Sequence, residues 1–288
     1  MLGCPPQHPN TLERYFDYLP IWGVLLAVLL ISLVAIEVGF RRGRLVQKLA
    51  ERDQEKEAPV GAMVGATLGL LAFLLAITFG IVEDSFQARK VAVLEEANEV
   101  RAAYLRAELI PEPHRTDVRR ILREYVDERL QWAGALDLHA PLKSRALLDQ
   151  LWRHASAAEQ ADPSSNGISL FAESVNKVIS LHEERVMLRE RSRIPAPFAV
   201  VLLAMAILSF GGMGYHGGVA GTTRSPVMVI AALSFSLVIM LIADMNRPGQ
   251  GWINVSQDAM LDLRSSLEAS ERESHRGTVG AIPLPNKR

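Results

Sequence analysis

Cysteine is almost missing from this chain: Cys4 is the one thiol in 288 residues. A lone thiol cannot close an intramolecular disulfide or build a cysteine zinc site, which excludes disulfide-stapled and zinc-ribbon folds. Aromatic residues make up 6%, so the 49% hydrophobic content is mostly aliphatic. Charge of one sign is not in excess either. The formal net charge of −1 argues against a general nucleic-acid binder, which needs a basic surplus. No stretch alternates with period two, and no internal repeat is visible. G-x-S-x-G, Walker A and G-x-G-x-x-G fingerprints are missing, and His182-Glu183-Glu184 lacks the second histidine of a zinc-protease helix. The glycine-rich stretch 211–218, GGMGYHGG, has no strand–helix unit after it and is read as a flexible end of a membrane span. The chain is therefore not read as an enzyme, and no cofactor or metal site is expected.

What is present is a chain of two populations. A mean hydropathy of +0.13 is high for a protein with 22% charged residues, so apolar and charged stretches must be segregated. Four apolar runs stand out: Leu19 to Phe40, Gly61 to Val82, Phe198 to about Tyr215, and Val227 to Ala243. Each is near the roughly 20 residues that a helix needs to cross about 30 Å of hydrocarbon. None keeps the polar stripe of a soluble core helix. The first run is not a cleavable signal: no basic cluster precedes it, only Arg14, and Arg41, Arg42 and Arg44 follow it as a stop-transfer cluster.

Residues 83–194 read as helix almost throughout. The second span is expected to continue out of the bilayer, with Val91, Leu94, Ala97, Val100, Tyr104 and Leu105 at helical spacing, until Pro111 and Pro113 end it. A helix from His114 to about Ala135, another from Pro141, and a last from about Ser169 to Arg193 follow. A break at 162–167 and a joint at Pro195 and Pro197 separate them. The expected fold is all-α: four transmembrane helices, with a helical extramembrane bundle inserted between spans 2 and 3. The segments are an N-terminal tail (1–18), spans 1 and 2 with a basic loop at 41–60 (19–82), the helical segment (83–194), spans 3 and 4 (195–246), and a C-terminal tail (247–288) disordered after about 270.

The basic loop carries Arg41, Arg42, Arg44, Lys48, Arg52 and Lys56, while the tail before the first span carries only Arg14. The positive-inside rule places that loop in the cytoplasm, and the N-terminus and helical segment outside. Three groups of residues are candidates for function. Gly61, Gly65 and Gly69, continued by Ala72, Ala76 and Gly80, form a small-residue stripe on the second span. Either it packs tightly within the protomer, or it makes a subunit contact or pore face, with Phe73, Thr78 and Phe79 at a constriction. Glu95 and Asn98 on the second helix and Glu173 and Asn176 on the last form a polar cluster if these helices lie side by side; a solvated face is the plainer account. Glu37, Glu83, Asp84, Asp244 and Arg247 sit at membrane edges, where charge needs a partner. Glu37 precedes Arg41 by one turn and can pair with it.

The stretch GAMVGATLGLLAFLLAITFGIVEDSFQARK with VLEEANEVRAAYLRAELIPEP, and later FAESVNKVISLHEERV and IADMNRPGQGWINVSQDAMLDL, resembles the bacterial bestrophin-like domain family over roughly residues 20–268. The resemblance implies kinship with bestrophins, which are oligomeric anion channels of four spans. It implies a bacterial cytoplasmic-membrane protein that forms a homo-oligomer in the lipid bilayer and conducts an inorganic ion. It also implies a cytoplasmic place for the large segment, opposite to the charge count. A bestrophin pore motif and calcium clasp are not apparent in the sequence. The alternative function is a non-conducting sensor or scaffold that binds a partner or ligand through its helical segment.

Overall fold

The computed structural model describes residues 20–49, 57–133, 140–191, 194–222, 224–247 and 251–279. The tail at 1–18 with Cys4, and Arg52, Lys56 and Arg193, lie outside the described residues. Among the described residues the chain is all-helical. Its helices are α1 (Ile21–Leu49), α2 (Glu57–Arg106), a 3-10 turn (Ala107–Leu109), α3 (His114–Ala133), α4 (Ala140–Ala161), α5 (Asn166–Arg191), α6 (Ala196–Val219), α7 (Pro226–Met245) and α8 (Asp258–Val279). Four of them are long and apolar enough to cross a membrane, over Ile21–Lys48, Pro59–Leu109, Pro197–Val219 and Pro226–Met245. The chain divides into two compact units: Met1–Phe86 with Ser192–Asn254, and Gln87–Arg191 with Val255–Arg288.

The first unit gathers the four apolar stretches. Its core is Leu71, Leu75, Val82, Ala206, Phe210, Ala232, Ile242 and Met245, with Phe210 and Phe235 meeting edge to face at 5.7 Å. Buried hydroxyls are satisfied inside their own helices. Ser32 donates to the Val28 carbonyl (2.8 Å), Thr78 to Leu74 (2.7 Å) and Ser236 to Ala232 (2.7 Å). Ser209 on α6 instead donates across to the Thr67 carbonyl of α2 at 3.1 Å.

Glycine sets the tightest contact of this unit. A methyl group on Gly39 or Gly43 of α1 would run into the carbonyl oxygens of Gly211 and Tyr215. One on Gly214 or Gly218 of α6 would meet those of Ile36 and Phe40. The two helices run parallel with their backbones in contact, the packing that small residues permit between apolar helices. This corrects two expectations. GGMGYHGG is not a flexible span end: α6 is helical through Val219, and its glycines are the contact surface. The basic stretch after Phe40 is not all loop either. Packing on α6 carries α1 on to Leu49, and α2 begins at Glu57.

The second unit is a helical bundle made from the end of α2 with α3, α4, α5 and α8. Its core includes Val100, Ala103, Val118, Leu122, Leu151, Phe171 and Val175. The helix boundaries expected around residues 114, 141, 169 and 193 lie within about three residues of those observed. The last helix, α8, runs from Asp258 to Val279, and its apolar stripe of Met260, Leu263 and Leu267 is buried in the bundle core. Arg264 pairs with Asp127 at 2.9 Å, and Arg123 pairs with Glu271.

Candidate functional site

The second apolar stretch is the least covered of the four: 11% of its most apolar window is buried, against 28%, 22% and 17% for the others. One side of this part of α2 packs in the first unit. Leu71, Leu75, Thr78 and Val82 are buried there, and Phe79 leans on the same core. Gly61 abuts the His216 ring of α6. The other side is open among the described residues. A side chain at Gly65, Gly69 or Gly80 would meet nothing within 4 Å. Ala72 and Ala76 are exposed, Phe73 is 60% exposed, and Leu70, Ile77 and Ile81 are exposed beside them. The stripe read from the sequence thus separates. Gly65, Gly69, Ala72, Phe73, Ala76 and Gly80 share an open face, while Gly61 and Phe79 are engaged inside the unit.

The membrane-edge charges have distinct environments. Glu37 accepts from Arg41 at 2.7 Å and from Arg224, just ahead of α7, at 2.8 Å. Asp244 is buried, and its two carboxylate oxygens accept the backbone N–H groups of Trp252 (3.0 Å) and Ile253 (2.9 Å). The carboxylate therefore shapes the turn after α7. That turn sets Trp252 edge-on to Trp22 at 4.8 Å. Glu83 and Asp84 are exposed, and Arg247 is half-buried.

In the second unit, Glu95, Asn98, Glu173 and Asn176 are all exposed. Nearby, Lys177 of α5 pairs with Glu99 of α2 at 3.4 Å, so these helices do lie alongside. The buried convergence is one residue away, at Glu96. It is fully buried and accepts from the Tyr125 hydroxyl and from Arg185, and from Arg129 Nη2 at 3.2 Å. A carboxylate can only accept, so Tyr125 must donate to it. His182 Nδ1, 3.2 Å from the same hydroxyl, must then donate to the Tyr125 oxygen. Burial, then the neighbouring Glu96 charge, pushes the Tyr125 hydroxyl well above its usual pKa. Burial, helped by the Arg129 charge, pulls His182 down to about 4, so its ring is neutral at pH 7. Trp132 carries two guanidiniums on its ring, Arg129 at 4.3 Å and Arg189 at 4.6 Å. The cluster fastens α2, α3 and α5 together, and Arg185 also reaches Gln257 ahead of α8 at 3.4 Å.

Sequence reasoning passed over Glu96. The signal was there: Glu96 falls in the apolar register of Val93, Ala97 and Val100, where a charge demands a buried partner. Among the described residues no three His, Cys, Asp or Glu side chains are grouped to hold a metal ion.

Comparison with known proteins adds a family. The Bestrophin-like domain profile matches residues 28–260. The fold is similar to the crystal structure of a bacterial bestrophin homolog from Klebsiella pneumoniae, with a TM-score of 0.54 and 15% identity over 85% of this chain and 96% of that one. A point mutant of that homolog is similar with a TM-score of 0.52 and 13% identity, over 87% of this chain and 98% of that one. At such identities the likeness is one of fold. No curated protein is significantly similar in sequence.

Proposed function

The chain belongs to the Bestrophin-like domain family, and from that premise we propose that it is an oligomeric membrane channel for inorganic anions with the open face of α2 lining the pore. The observation that carries this reading is that face: a side chain at Gly65 or Gly69 would meet nothing within 4 Å among the described residues, and Ala72, Phe73 and Ala76 are exposed beside them. Contact with lipid alone gives no reason for small residues, whereas close approach of another helix does. Copies arranged about an axis with these faces inward would pack the small positions against neighbours and set Phe73 and Ile77 toward the centre. Apolar rings of this kind gate by wetting and drying. The positive edge of the phenyl ring favours an anion over a cation.

The helical unit stands outside the membrane in this reading. The first unit is charge-asymmetric: Arg41, Arg42, Arg44, Lys48 and Arg224 with the acid Glu37 lie at one end, and Glu83, Asp84 and Asp244 with the cation Arg247 at the other. The positive-inside rule puts the basic end in the cytoplasm, with the N-terminus and the helical unit on the periplasmic side. Accessibility labelling tests this on a Cys4-free protein carrying Asp53→Cys or Leu142→Cys. Labelling of residue 142 from outside and of residue 53 from inside supports it, and the reverse pattern inverts the topology.

The pore assignment is tested by planar-bilayer recording of the purified protein and a Phe73→Ala variant. Current is expected from both, with a larger unitary conductance after the ring is removed. Equal conductance in the two would take Phe73 out of the pore.

A further inference from the structure

We propose that the basic end of the membrane unit is a binding surface for the headgroup of an anionic phospholipid, centred on Arg44 and Arg224. The two arginines come from opposite halves of the chain and meet over one ring. Phe40 is 3% exposed, and the guanidinium of Arg44 lies 4.9 Å and that of Arg224 5.6 Å from its centroid. Arg224 also holds Glu37 through Nε (3.2 Å) and Nη2 (2.8 Å). Stacking and pairing therefore fix the positions of guanidiniums that remain open to their surroundings: the side chains of Arg41 and Arg224 are 73% and 71% exposed. Arg42, Arg44 and Lys48 are exposed as well.

Charge is strongly unbalanced here. Across residues 37–48 and 216–226, five Lys and Arg side chains face one acid, Glu37, whose carboxylate is already shared by two of them. An oriented guanidinium forms paired hydrogen bonds to phosphate oxygens, so the chemistry left open is that of a phosphate. A lipid fits better than a free anion because of where the cluster lies. Leu30, Val34 and Val38 of α1 are exposed at four-residue intervals, and Arg42 follows at the next interval. An apolar ladder ending in cations matches an acyl chain ending in a charged headgroup, and each cation near an anionic surface adds about 1 kcal/mol, or roughly fivefold in binding.

The test is native mass spectrometry of the full chain in neutral detergent, titrated with dioleoyl phosphatidylglycerol or dioleoyl phosphatidylcholine. Several-fold preferential retention of phosphatidylglycerol is expected. The preference should be lost in Arg44→Gln/Arg224→Gln and kept in Arg264→Gln, whose side chain lies in the helical unit. Equal retention of the two lipids, or a preference unchanged in the double variant, overturns the proposal. Complete displacement of phosphatidylglycerol by excess inorganic phosphate also overturns it, because it marks a free-anion site. If the double variant does not elute as a folded species, Arg42→Gln/Lys48→Gln gives the same readout at exposed positions. A preference undiminished there counts against the surface equally.

Discussion

Replacing Glu96 by Gln keeps the shape of the side chain and removes the one negative charge at the centre of the buried cluster. In the wild-type protein that carboxylate accepts from Tyr125, Arg129 and Arg185, and neither Glu96 nor Arg129 has any solvent contact. With the charge gone, two guanidiniums stay buried without a counter-ion. Breaking one side of a buried ion pair costs about 3–5 kcal/mol. At about 2–4 °C per kcal/mol for a chain of this size, the unfolding midpoint should fall by about 6–20 °C. Thermal unfolding of full-length protein in detergent, followed by far-ultraviolet circular dichroism, measures it. Glu99→Gln is the internal control. Its pair with Lys177 is 26% and 58% exposed on the two sides, so it should cost about 1 kcal/mol or less. Glu96→Leu combined with Arg129→Met and Arg185→Met removes the whole charged set and should recover much of the loss. Equal midpoints for Glu96→Gln and Glu99→Gln would refute the assignment of a fully buried, mutually dependent cluster.

Stability should also depend on pH through His182. Its pKa is about 4 in the folded protein, against about 6.5 when exposed, so the unfolded chain binds the proton first. The contribution is fully present above about pH 6.5 and is lost as pH falls toward 4, by about 3 kcal/mol in all. His182→Gln should flatten the unfolding midpoint over that window, and an unchanged slope would count against a neutral buried ring. Gly39→Leu should prevent the α1–α6 contact and abolish a folded, monodisperse species, because the added side chain meets the Gly211 backbone. Gly65→Leu should leave the protomer folded but reduce oligomer size on chromatography and cross-linking. An unchanged oligomer would show that this face is not an interface. Asp244→Asn leaves one of the Trp252 and Ile253 amides facing a donor, at a cost of about 1–3 kcal/mol seen as a lower unfolding midpoint.

The apolar runs and proline breaks made most of the helices legible, because length and proline act locally. Pro111 and Pro113 close the second helix, and Pro195 and Pro197 open the third span, where the structure has them. What the chain does not display locally is which faces meet. Gly39 and Gly43 are spaced like Gly65 and Gly69, yet only the first pair is pressed against another helix of the protomer. Spacing alone cannot distinguish them, because the partner surface on α6 lies some 170 residues away in the sequence. The charged residues divide in the same manner. Glu95 and Glu96 are adjacent, but a turn of 100° per residue puts one in solvent and the other in the core. In α8 the apolar positions Met260, Leu263 and Leu267 are sparse among charges, and they gain their value only from the bundle that receives them.

The central claim is tested most directly by current through the purified wild-type protein in a planar bilayer under a chloride gradient. The account expects ionic current whose reversal potential follows chloride. Silence across a range of ions and voltages, from protein that is folded and oligomeric, would contradict it.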